Sequence, residues 1–204
     1  SSDLIGSPLI FIHEAIASYT DYKAIFYEIH EDNAAELERT IGSNPSVQVI
    51  NASNTEIGSF PQLGSKPWND PRYGLMFADP NGGHPDWKSI SKFYQHKNHG
   101  TIDVLLYLSA AGIKRCSCAN DGMPRLMEGM NIIGKKHWLV RRPQDKHQWT
   151  FLVGTNWENF PAWENRGFYS ASHGIGKSIL ERLHYTASEY KAEKEPKQLS
   201  LAYV

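Results

Sequence analysis

The stretch that decides the fold is Tyr73-Gly-Leu-Met-Phe-Ala-Asp-Pro-Asn-Gly-Gly83. Leu75 to Ala78 form a short continuous apolar run, the pattern of a strand covered on both faces. Asp79-Pro80-Asn81-Gly82-Gly83 cannot continue it, because proline lacks a donor and glycines favour turns. In open parallel sheets ligands sit at the carboxyl ends of strands. An acid at the last strand position, followed by Pro-Asn-Gly, therefore marks a candidate site. The alternative is a turn whose aspartate caps a helix.

Upstream, Ser7 and Pro8 open a helix as N-cap and first helical residue, and Leu9, Ile12, Ala15 and Ile16 give it an apolar stripe to about Ser18. Lys23 to Glu28 reads as a strand ending on an acid. Ala34, Leu37 and Ile41 then recur at helical spacing, with Gly42 as a stop. Val47 to Asn51 is a third strand-like run, a weaker helix starts near Thr55, and Pro61 to Pro71 is a proline-punctuated connection.

Downstream, Trp87, Ile90, Ser91 and Tyr94 mark a helix, and Ile102 to Leu108 is the clearest strand. Ala110 to Cys116 and Pro124 to Ile133 read as helices. His137 to Arg141 and Gln148 to Val153 read as the last strands, and Asn156 to Ser172 as an aromatic-rich loop. Ile175, Ile179, Leu180 and Leu183 open a final helix. Strands alternate with helices from Lys23 to Leu108, which predicts parallel βαβ units, and the closing strand pair suits an antiparallel edge. The expectation is one α/β domain over residues 1–190 and a charged tail over 191–204.

Composition excludes several classes. The chain has 204 residues, 40% hydrophobic and 12% aromatic, enough for one sizeable core and too apolar for disorder. A net charge of −1 excludes a globally basic nucleic-acid binder but permits a local basic face. No apolar run approaches the roughly 18 residues of a membrane span and no leader opens the chain, so a cytoplasmic protein without a membrane partner is expected. Cys116 and Cys118 lack the second pair a structural zinc site needs, and the histidines lack metal-ligand spacing. No metal is expected.

Several strand tips carry groups suited to a nucleotide. Glu28 ends the first strand, where an acid can accept both hydroxyls of an adenosine ribose, and Ile29 could pack on the adenine face. Its alternative role is to cap the following helix. Asn51 and Asn54 follow the next strand, where an amide can read an adenine edge, or simply build a turn. Asp79 and the carbonyl of Pro80 can both accept hydrogen bonds from an amino group, which positions its nitrogen for attack on a methyl group. Lys114, Arg115, Lys135, Lys136, Arg141 and Arg142, with Trp138 and Trp149 interleaved, suit a nucleic-acid strand or an ordinary solvated edge.

The order Gly6-Ser-Pro-Leu, the Glu28 strand, the strand ending at Asn51, Asp79-Pro-Asn-Gly, Asp103-Val-Leu-Leu and Gly112-Ile-Lys-Arg115 resembles the three-Cys-motif partner family. The resemblance covers roughly Gly6 to Leu152. It implies a Rossmann-like, class I methyltransferase three-layer sandwich, a mostly parallel sheet with an antiparallel edge, and S-adenosylmethionine as cofactor. The implied site is Asp79, Pro80 and Asn81 for chemistry, with Gly6, Glu28, Ile29, Asn51 and Asn54 for the cofactor. Asn81 departs from the family, which usually has an aromatic there.

The family also places a strand and a glycine-rich loop before Gly-Ser-Pro. That strand would lie between those of Glu28 and Asp79, so residues upstream of Ser1, or another segment, are expected to fill the slot. Two functions follow as expectations: a methyltransferase acting on a nucleic-acid amino nitrogen, or a non-catalytic subunit that binds nucleic acid or a partner protein. A dehydrogenase is disfavoured, because no Gly-x-Gly-x-x-Gly occurs.

Overall fold

The computed structural model describes residues 7–18, 22–53, 73–80, 84–95, 99–110, 112–113, 122–143, 149–158 and 163–183. The chain divides into two compact units, Ser1–Phe60 and Pro61–Val204.

In the first unit, helix α1 (Ser7–Ser18) buries Ile12 and Ala15. Phe11 meets Phe26 edge-on at 6.3 Å. The expected stripe is narrower than its sequence implied, since Ile16 is exposed. Strands β1 (Ala24–Glu28) and β2 (Val47–Asn51) pair in parallel, with Glu28 opposite Asn51. Helix α2 (Glu31–Ile41) connects them and packs on both. Glu31 and Asp32 in its first turn and Arg39 in its last complement the helix dipole. It ends at Gly42, whose φ of 67° suits a residue without Cβ.

The second unit holds a five-stranded sheet in the order β3-β4-β6-β5-β7. Its strands are β3 (Gly74–Ala78), β4 (Ile102–Ser109), β5 (His137–Arg141), β6 (Trp149–Thr155) and β7 (Phe168–Ser170). β3 and β4 are parallel, whereas the β4–β6, β5–β6 and β5–β7 pairings are antiparallel. The expectation of a mostly parallel sheet is thereby corrected. β6 lies between β4 and β5, and Phe168–Ser170 adds an edge strand where a loop was expected.

β4 shows why this sheet is the core. Ile102, Val104, Leu106 and Leu108 alternate onto one face and are buried, with the last three fully so. Each fully buried leucine contributes about 1.5–3 kcal/mol. Helix α3 (Trp87–Gln95) packs on α4 (Gly122–Ile133), and α5 (Gly174–Arg182) packs on β7 and β5. Asp86 caps α3, its Oδ1 accepting from the N–H groups of Lys88 (3.1 Å) and Ser89 (3.2 Å).

β3 departs from expectation. Met76 is buried, but Leu75 is 51% and Phe77 40% exposed, so the strand is covered on one face only. Among the described strands β3 pairs only with β4 and β1 only with β2, and β1 and β3 do not pair with each other. The expected helix near Thr55, the Pro61–Pro71 connection, the two cysteines and the tail from Lys191 lie outside the described residues.

Candidate functional site

At the tip of the first unit, β1 hands over to α2 through a tight bend. The Glu28 carboxylate turns back on this bend, and its Oε1 accepts the His30 N–H at 2.9 Å. Asn51, opposite on β2, donates its side-chain amide to the carbonyls of Glu28 (3.0 Å) and Ile29 (3.2 Å). Glu28, Ile29, His30 and Asn51 thus form one hydrogen-bonded tip. Asn51 has spent its donors on the backbone and keeps its oxygen as an acceptor. Ile29 is 62% exposed, an apolar platform beside an acid. Gly6 and Asn54 lie outside the described residues.

At the tip of β3, Asp79 is exposed and Pro80 half-buried, while Asn81 lies outside the described residues. Partial desolvation raises the Asp79 carboxyl above its ordinary value. Five positions on, both ring nitrogens of His84 are buried without a hydrogen-bond partner. Burial, and then the charge of Arg125, depress its pKa, which keeps the ring neutral. Sequence reasoning missed His84, since nothing in Gly83-His84-Pro85 distinguishes it from a loop histidine.

The expected basic edge is smaller than its sequence suggested. Lys135 is 7% exposed and turned inward, donating to the carbonyls of Gly100 (3.0 Å) and Ile102 (2.6 Å). Its ammonium lies 4.2 Å from the centroid of the Tyr94 ring. A nucleic-acid contact by Lys135 is therefore corrected to a structural role. The Asp103 carboxyl is raised by desolvation, against the opposing effects of a Thr155 hydrogen bond and the Lys135 charge.

Lys136 is exposed but bonded to Glu158 at 2.8 Å. Arg141 is half-buried, and Arg142 is exposed with its guanidinium 5.6 Å from the centre of the Tyr169 ring. Lys114 and Arg115 lie outside the described residues. Among the described residues no three metal-ligating side chains converge, and no helix is long and apolar enough to cross a membrane.

A second feature of this unit is a cleft of about 500 Å³ lined by Trp157, Trp163 and Tyr169, with Glu158, Glu164 and His173 among its other walls. Its signal in the sequence was the repeated Trp-Glu-Asn at 157–159 and 163–165, which an aromatic-rich loop subsumed.

No family model matches the chain, and no curated protein matches it. Among solved structures, a crystal structure of a mutant of MtNAS is similar at 14% identity, over 72% of this chain and 58% of that one, with a TM-score of 0.39. The chain thus spans less than two thirds of that structure's length. A likeness at this level carries no argument about fold or reaction.

Proposed function

We propose that the protein is a methyltransferase of the three-Cys-motif partner kind, with a Rossmann-like class I fold, acting on an amino nitrogen of nucleic acid. The observation that supports this reading is the pair of parallel strand units β1–β2 and β3–β4, whose first strands each run into an acid, Glu28 and Asp79. Glu28 would accept the ribose hydroxyls, Ile29 would cover the adenine face, and the Asn51 oxygen would accept from the adenine amino group. Bound there, S-adenosylmethionine supplies an electrophilic methyl group. Asp79 and the Pro80 carbonyl would accept hydrogen bonds from the target amino group and aim its lone pair. The raised Asp79 pKa also makes this carboxylate a better holder of the proton that nitrogen loses.

Calorimetric titration with S-adenosylmethionine, alongside methyl transfer to mixed DNA and RNA, tests the reading. Glu28→Ala should lower cofactor affinity by at least about tenfold, since it removes a bidentate, charge-assisted contact to the ribose. Asp79→Ala should abolish transfer while leaving cofactor affinity intact. Retained transfer in Asp79→Ala would remove its catalytic role.

A second reading is a non-catalytic subunit, and the exposed Leu75 and Phe77 of β3, with Tyr73 just before it, favour it. Such a row suits a partner protein better than solvent. Absence of both cofactor binding and transfer in the wild-type protein would make this reading the better one.

A further inference from the structure

We propose that the cleft beside β7 binds an alkylammonium cation, a site independent of the reaction proposed above. Its three rings come from well-anchored backbone. Trp157 lies two residues past the end of β6 and donates its backbone N–H to the Thr155 hydroxyl at 3.1 Å. The Trp163 carbonyl accepts from the N–H groups of Arg166 (3.0 Å) and Phe168 (3.2 Å). Tyr169 sits within β7, paired with Val140 of β5. The backbone that carries the rings is therefore held before any ligand arrives, which lowers the ordering cost of binding.

Trp157 is 45% exposed despite its size, with the Tyr73 ring 5.1 Å away. The Tyr169 ring already attracts the guanidinium of Arg142. These are electron-rich rings in positions that cations can reach.

The charges in the cleft select among ligands. Glu158 is answered by Lys136, and also lies 3.5 Å from His137. Among the described residues Glu164, on the 3-10 turn Glu164–Arg166, makes no ion pair or side-chain hydrogen bond. With Glu158 paired to Lys136, Glu164 is the carboxylate that would repel a phosphate or carboxylate ligand. A neutral apolar ligand would be indifferent to Glu164. A small hydrated cation would not surrender its water to indole faces. A methylated or alkylated ammonium is weakly hydrated, presents apolar methyl groups to the rings, and carries the charge that Glu164 lacks a partner for. The cleft volume of about 500 Å³ admits such a group with part of its carrier, as on a modified lysine side chain or a choline-like amine.

The test is a tryptophan-fluorescence and calorimetric titration of the protein with tetramethylammonium chloride at constant ionic strength. The parallel titrants are tert-butanol, a neutral group of similar shape, and adenosine monophosphate, an aromatic anion. Saturable binding of tetramethylammonium with a dissociation constant on the order of millimolar is expected. Neither parallel titrant should saturate over the same range. Trp157→Ala and Trp163→Ala should each weaken binding roughly two- to thirtyfold. Glu164→Gln, an exposed change that spares the fold, should weaken it severalfold. Glu31→Gln on α2 should leave it unchanged. Equal saturation by tert-butanol, tighter binding of adenosine monophosphate, no saturable response, or an unchanged Glu164→Gln variant would each overturn the proposal.

Discussion

Lys135 reads in sequence as one more cation beside a strand, yet its side chain is buried and its ammonium serves two backbone carbonyls. No local pattern distinguishes the two fates, because the partners, Gly100 and Ile102, are more than thirty positions away. Lys135→Ala should cost about 2–4 kcal/mol in urea unfolding, since it leaves those carbonyls and the Asp103 carboxylate without their cation. A change below about 0.5 kcal/mol, typical of an exposed lysine, would restore it to the solvated edge. His84 makes the opposite statement about charge. Its folded pKa lies below the ordinary 6.5, so the unfolded chain takes up the proton first as pH falls. Stability from the neutral ring is present above 6.5 and lost as pH drops through the folded value. His84→Leu should flatten that acid-side decline in the urea midpoint. An identical pH profile in wild type and variant would refute the assignment.

Elements were legible where one period dominated. The β4 strand, the α3 helix and the Gly42 stop of α2 stand where their residues put them, because each depends on neighbours within a few positions. The both-faces reading of β3 failed because an apolar run says that burial is favourable, not that a partner covers it. β7 went unseen because three residues are too few to show a period, although Gly167 at φ 77° turns the chain into it. Helix contacts were less legible still. A Cβ on Gly129 of α4 would lie 2.1 Å from the Trp87 indole, so this glycine is what lets α3 approach α4. Gly129→Ala should therefore destabilise by about 1–3 kcal/mol through overpacking. On helix propensity alone the same change would stabilise by roughly 1 kcal/mol. The sign of the shift in thermal midpoint decides between the two.

For the whole molecule, the two units differ in what holds them. Among the described residues the largest fully buried side chains, including Leu106, Leu108, Ile113, Leu126, Leu152 and Leu180, all belong to the second unit. Among the described residues of the first, the buried apolar set is Ile12, Ala15, Ala24 and Ala34. Alanines bury little apolar area, and a two-stranded sheet is marginal by itself. This difference was hidden in the sequence, where both halves alternate strands and helices and read as one domain. The Glu28 tip, candidate for cofactor, thus rides on the weaker frame, and the Asp79 tip on the stronger. Native-state hydrogen exchange in low denaturant separates them. Amides of Val104, Leu106 and Leu152 should exchange only through global unfolding, with a full denaturant dependence. Amides of Phe26, Val49 and Leu37 should exchange through a smaller opening of lower free energy and weak denaturant dependence. Convergence of both sets on one free energy in water would show that the first unit draws its stability from the global fold. Ligand at the Glu28 tip should then protect both sets alike. With separate openings, saturating S-adenosylmethionine should slow the first set preferentially, by the factor its occupancy dictates.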